Sequence, residues 1–289
     1  MPRSPLAALI ACAAVCVPLV ACGDDDSSAR AATSTDGTTT AAGTAAGSTD
    51  GSAAALARSA ARASGILGPP TGTVPASRPR AVVLILHGGG WAATTDDTLK
   101  AANQGTEGYR SGGFATYAVR MKAGRGAIDS ATAAYDAMRR RYGARTPICA
   151  IGASTGGHVG LMLAIARPNL ACVVSNAGPT DLPAWAQQVP AAEGQIDGYF
   201  GGEQRRFSPA ERPRDLRARV LLQYASNDRD VPLAQGRAFR DARPRGTQLV
   251  VLRPGTAFFA HSEVDARQLA QVYPRQERLL RSVARAAGR

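Results

Sequence analysis

Lysine is almost missing from this chain. Lys100 and Lys122 are its two examples, so the formal charge of +12 rests on arginine. Apart from Arg3, the arginines are scattered from Arg30 to Arg289, and aromatic residues make up 5% of the chain. A nucleic-acid partner calls for a dense basic stripe interleaved with aromatics, so this pattern argues against one and leaves a solvated basic surface. Histidine is scarce: His87, His158 and His261 are the full set. Three of the five cysteines, Cys12, Cys16 and Cys22, crowd the start, which leaves Cys149 and Cys172 for the body. With no CxxC pair and no Cys/His cluster, neither a structural zinc site nor any other metal is expected. The apolar run at residues 6–20 is uncharged but too short to cross a membrane comfortably.

That short run follows Arg3 and ends Leu19-Val20-Ala21-Cys22, with Asp24, Asp25 and Asp26 directly behind it. A positive start, an apolar middle and small residues before a cysteine read as a signal peptide over residues 1–21. The ending resembles the bacterial lipobox, which implies lipid attachment at Cys22. Residues 22–64 are then a lipidated N-terminus and a tether of Ala, Thr, Ser, Gly and Asp, too poor in large apolar groups to offset ordering entropy. The expected location is outside the cell, anchored to the outer face of a bacterial membrane.

From residue 65 to 289 the pattern changes. Apolar β-rich runs at 81–86, 114–119, 148–151, 171–175, 220–224 and 248–252 alternate with amphipathic stretches of helical length. Ile128, Ala131, Tyr135, Met138 and Tyr142 recur at helical spacing before Gly143. Residues 156–166 predict a helix ended by Pro168, and 262–287 a helix that Pro274 breaks in two. Such alternation defines an α/β class domain with a mostly parallel sheet and helices on both faces. Ligands in such sheets bind beyond the carboxyl ends of strands. Cys149 and Cys172 sit early in two strands joined by one crossover helix, a placement that predicts neighbouring strands and a disulfide between them.

Two motifs carry chemistry. Gly152-Ala153-Ser154-Thr155-Gly156 lies between a strand and a helix, where a sharp turn pushes the serine out of the sheet top. His87-Gly88-Gly89-Gly90-Trp91 closes an earlier buried strand, and its glycines let backbone N–H groups turn toward an oxyanion. Gly89, Gly90 and Thr155 are the expected donors, with His87 orienting the loop. Ser154 then needs a base. His158 lies one helical turn beyond it and points along the helix flank, a packing position. His261, in a loop after the last strand, is the expected base. For the acid, Asp228 and Asp230 follow one late strand and Asp181 follows another. Trp91, Trp185, Phe258 and Phe259 are open to either an acyl pocket or ordinary packing.

Taken together these motifs resemble the α/β-hydrolase superfamily, from residue 81 to the C-terminus. The HGGGW loop is similar to that of hormone-sensitive-lipase-like esterases. The stretch Asn227-Asp228-Arg229-Asp230-Val231-Pro232 is similar to the acid loop of the prolyl-oligopeptidase branch. The resemblance implies a serine hydrolase with an α/β-hydrolase fold, the order Ser154, Asp228, His261, and no cofactor. It places Asp228 in the acid position and leaves Asp230 to start a helix. A carboxylic ester is the first substrate class it implies, a short peptide the second, and a non-catalytic binding lipoprotein the third reading. Two departures stand out: no large propeller or cap precedes the domain, and residues 179–212 are too few for a large lid.

Overall fold

In the computed structural model, residues 78–104, 106–252 and 266–288 are described, and they build one sheet wrapped on both faces. Its strands are β1 (Val82–Leu86), β2 (Ala115–Ala118), β3 (Ile148–Ala153), β4 (Cys172–Asn176), β5 (Arg219–Ala225) and β6 (Thr247–Leu252). They run in the order β2-β1-β3-β4-β5-β6, and every neighbouring pair is parallel. The unbroken apolar run Val82-Val83-Leu84-Ile85-Leu86 follows from this placement, because a strand covered on both faces has no polar side to present. Val82, Leu84 and Leu86 enter one core, and Val83 and Ile85 the other.

Helices α1 (Asp96–Gln104) and α2 (Glu107–Ser111) connect β1 to β2, and α3 (Gly126–Tyr142) leads into β3. Then α4 (Thr155–Ala166) joins β3 to β4. Two short helices, α5 (Leu182–Gln188) and α6 (Glu193–Phe200), precede β5; α7 (Leu233–Ala242) precedes β6 and α8 (Ala266–Ala286) follows it. The first core holds Ile128, Tyr135 and Met138 of α3, Leu161 and Leu163 of α4, and Phe239 of α7. The second holds Leu99 of α1, Tyr109 of α2, and Leu280 and Val283 of α8. The fold is that of an α/β-hydrolase.

The strand order fixes where a ligand binds. After β1 the chain crosses to β2 on one side, and after β3 it crosses to β4 on the other, so a crevice opens between the carboxyl ends of β1 and β3. Those ends are level, with Leu86 beside Gly152. HGGGW and GASTG therefore leave the sheet side by side.

Cys149 and Cys172 are register partners on β3 and β4, buried and joined as a disulfide with a Cα–Cα distance of 4.6 Å. One expectation is corrected. Pro274 does not break the last helix, which runs through it as α8. A helix-interior proline costs about 3 kcal/mol. Val272, Leu280 and Val283, buried on its two sides, each return about 1.5–3 kcal/mol. Packing on both flanks outweighs one lost bond. The first expected residues of that helix, 262–265, lie outside the described residues, as do Cys22, the tether, Phe258, Phe259 and His261.

Candidate active site

Ser154 stands between β3 and α4 with φ 51° and ψ −129°, a conformation that side-chain-bearing residues rarely adopt and that stores about 1–3 kcal/mol. Its surroundings hold it there. The Ser154 N–H donates to the Asn176 carbonyl at 2.8 Å, while the Ser154 carbonyl accepts from the N–H groups of Gly157 and His158. Its hydroxyl makes no capping bond to α4, the usual task of a serine before a helix. The turn is tight enough to need glycine. A Cβ on Gly156 would lie 2.3 Å from the Leu86 carbonyl oxygen and 2.4 Å from that of His87. One on Gly152 would meet the Gly156 backbone at 2.3 Å.

The glycine loop lies against this turn. Gly88 faces the Ala153 carbonyl and Ser154 Cβ, each 3.2 Å from where a Cβ would stand. Gly89, Gly90 and Trp91 all have positive φ, at 99°, 65° and 61°. Such a run turns successive N–H groups toward one side, as in anion-binding nests. Trp91 N–H is taken by Thr155 Oγ1 at 3.2 Å, whereas those of Gly89 and Gly90 meet no acceptor among the described residues. Thr155 begins α4, and a first-turn N–H has no intrahelical acceptor. The structure thus brings Ser154, Gly89, Gly90 and Thr155 together. Gly88, packed against the serine turn, leads directly into the two donors.

His87 is a brace for this loop. Its Nδ1–H donates to the Gly88 carbonyl at 2.6 Å, and Nε2 accepts from Thr94 Oγ1 at 2.5 Å. Burial lowers its pKa, against a smaller upward pull from the Gly88 carbonyl. His158 is a second brace, fully buried. Its Nδ1 accepts from Trp91 Nε1 at 3.1 Å, which fixes the proton on Nε2, and that group donates to the Phe207 carbonyl at 2.7 Å. One imidazole therefore links the glycine loop, the serine helix and the segment after α6. Trp91 and Trp185 are buried and pack edge-on against each other, and Trp91 also against Phe200, so both serve as packing.

Burial pushes the His158 pKa down to about 4 from 6.5, the Phe207 carbonyl pulling weakly the other way. The unfolded chain then binds the proton more readily than the folded one between those values. Stability is complete above pH 6.5 and declines as pH falls toward 4, by up to about 3 kcal/mol. Asp136, held by Arg167 below its ordinary 3.8, titrates beneath that window. His158→Gln, which keeps a donor and an acceptor, is expected to flatten the decline in melting temperature between pH 6.5 and 4. A parallel decline in both proteins would contradict this assignment.

The three acids separate clearly. Asp228, just past β5, is 6% exposed, and its Oδ1 accepts the N–H groups of Asp230 and Val231 at 2.9 Å each. Asp181 caps α5 by accepting the Ala184 N–H at 3.0 Å, and its own N–H is held by Gln235 Oε1. Asp230 has an exposed side chain and does not start α7, whose N-cap is Pro232; the Asp228 carboxylate organises that turn instead. Its carbonyl accepts from Trp185 Nε1 at 2.6 Å. Asp228 sits at the same sheet end as Ser154, with β4 between their strands, so their strands are about 10 Å apart. His261 lies beyond β6, outside the described residues.

Sequence reading missed several partners. The Thr155 hydroxyl, the Phe207 carbonyl and Gln195 on α6 carry no motif. Nor does the amide set of buried Gln223 and Gln276 with half-buried Asn176, in which Gln276 Nε2 donates to Gln223 Oε1 at 2.8 Å and Asn176 Oδ1 at 3.2 Å. That set ties α8 to the strand end whose carbonyl holds Ser154.

A six-stranded parallel sheet with a serine on a strained strand-to-helix turn, beside a glycine loop, defines the α/β-hydrolase class. The model of the prolyl oligopeptidase family matches residues 99–252, more than half of the chain, and the chain belongs to that family. By family it is a serine hydrolase. No curated protein matches it. Among solved structures it is similar to esterase B from Lactobacillus rhamnosis, at 15% identity and a TM-score of 0.61, over 73% of this chain and 78% of that one. Thermogutta terrifontis esterase 2, phosphonylated by sarin, matches at 17% identity and a TM-score of 0.59, over 75% and 88%. A puromycin-hydrolysing peptidase of Mycobacterium tuberculosis matches at 17% and 0.58, over 72% of this chain and 34% of that one. The chain thus spans about a third of that peptidase's length. At these identities the likeness concerns the fold.

Proposed function

We propose that the chain is a carboxylic ester hydrolase with Ser154 as nucleophile, His261 as base and Asp228 as the acid that orients the imidazole. The observation that carries this reading is Ser154 at φ 51°, held beside a loop whose Gly89 and Gly90 N–H groups have no acceptor among the described residues. Ser154 Oγ attacks the ester carbonyl carbon as its proton passes to His261. The oxyanion lies among the N–H groups of Gly89, Gly90 and Thr155. Collapse breaks the ester C–O bond, and the alcohol departs with the proton from His261. Water then attacks the acyl-serine, giving its proton to the same imidazole, and the acid is released as Ser154 regains a proton. These steps call for no metal and no organic cofactor.

Ester rather than peptide cleavage is favoured by the two esterases, matched over most of their length. The family, and the puromycin-hydrolysing peptidase matched over about a third of its length, favour a second reading as a peptidase of short peptides. Turnover of p-nitrophenyl acyl esters against peptide p-nitroanilides separates the two. A kcat/KM at least about a hundredfold higher on the esters is expected, and a preference for the anilides would make the chain a peptidase. Such a gap corresponds to about 2.7 kcal/mol in transition-state binding.

We also propose that residues 1–21 are removed on export, that Cys22 carries lipid, and that 22–64 tether the 65–289 domain to the outer face of the cell membrane. The support is the coincidence of apolar run and lipobox. Two acyl chains give stable anchoring. Cys22→Ser protein should leave the membrane fraction; unchanged processing and membrane association would oppose the anchor.

A further inference from the structure

We propose that Gln195 is a substrate-contacting specificity residue that selects for an amide group near the scissile carbonyl. This rests on the hydrolase reading of Ser154. Gly90 has no side chain, and the Gln195 amide occupies the place where one would stand. A Cβ there would lie 2.1 Å from Nε2, 2.8 Å from Cδ and 3.0 Å from Oε1, so the amide plane lies against the loop. Gln195 is half-buried, and its amide, which makes no hydrogen bond to any described residue, still reaches solvent. A primary amide offers two donors and an acceptor, and here they remain open to solvent and to a bound ligand.

The helix that carries the amide is fixed. Arg125 donates to the Phe200 carbonyl at 2.9 Å and to that of Tyr199 at 3.2 Å, and Phe200 is buried edge-on against Trp91. The opposite end of the glycine loop touches the nucleophile, since Gly88 faces Ser154 Cβ. Gly88 and Gly90 are two Cα steps apart, at most about 7.6 Å. A carbonyl oxygen held by the Gly89 and Gly90 N–H groups therefore presents its substituents, a few bonds out, to Gln195. An amide in the substrate is complementary to it: Nε2–H donates to the substrate carbonyl, and Oε1 accepts the substrate N–H. An alkyl chain of equal length leaves both groups unmet.

The amide can sit on the acyl side or the alcohol side of the ester, and two matched pairs separate these. Ethyl N-acetylglycinate is compared with ethyl pentanoate, and 2-acetamidoethyl acetate with pentyl acetate. Binding of all four is measured by calorimetry to full-length protein carrying Ser154→Ala, alone and combined with Gln195→Met or Gln195→Leu. The parent should prefer the amide member of one pair by about five- to tenfold, and both second substitutions should erase that preference. The responding pair identifies the side. No preference in the parent, or one that survives both substitutions, overturns the proposal; equal weakening of both members would assign Gln195 to loop packing instead. Turnover of the same esters by wild-type protein reports separately on the hydrolase reading. Selective binding without turnover would sustain Gln195 and remove the esterase.

Discussion

Asp228→Asn is expected to lower kcat on a short-chain ester by up to about 10⁴, with the fold intact. The loop should survive because Asn retains an oxygen able to accept the Asp230 and Val231 N–H groups, now received by Asp228 Oδ1 at 2.9 Å. What is lost is the negative charge at the carboxyl end of β5. In the proposed triad an amide in place of that carboxylate would permit the wrong ring proton arrangement in His261, and a misdirected imidazole could not take the Ser154 proton. The other acids serve as internal controls. Asp181→Asn replaces one good N-cap by another on α5, so it should shift stability by only a few tenths of a kcal/mol. Asp230→Asn alters an exposed side chain whose backbone carbonyl does the structural work. Both variants should keep most of the wild-type rate. An active Asp228→Asn enzyme beside an inactive Asp230 or Asp181 variant would move the acid to that position.

Gly156→Ala should destabilise the protein by about 3 kcal/mol or more and remove activity with it. The obstacle is backbone at the end of β1, the Leu86 carbonyl at 2.3 Å and the His87 carbonyl at 2.4 Å from the new methyl group. Neither atom belongs to a side chain that can rotate away. Relief requires β1 and α4 to separate, which would pull the glycine loop from the serine turn. Gly198→Ala on α6 is the matched control, because nothing lies within 4 Å of its added methyl. Helix propensity predicts a gain of up to about 1 kcal/mol there. Chemical denaturation of both variants checks the pair; a Gly156→Ala protein as stable as wild type would mean that the elbow is looser than described.

The sheet was legible because its strands are covered on both faces and so appear as unbroken apolar runs, Val82 to Leu86 being the clearest. The disulfide was legible for a related reason: one crossover helix makes β3 and β4 neighbours, and Cys149 and Cys172 fall level. The serine turn and glycine loop were legible because only a few residue types permit such backbone. Shorter helices were not. In α2 and α6, five and eight residues long, too few turns exist to display a period. Pro274 misled because a local rule was applied where packing by Val272, Leu280 and Val283 decides. Gln195 had no signal at all, since its position depends on α6 folding back over Gly90 from more than a hundred residues away.

The most direct measurement is labelling of the purified protein with a fluorophosphonate, followed by peptide mapping. A strained serine with a working base beside an oxyanion loop should be phosphonylated stoichiometrically, with the added mass on the peptide containing Ser154 and none in a Ser154→Ala protein. Absence of label from folded protein, or label on another residue, would contradict Ser154 as the nucleophile.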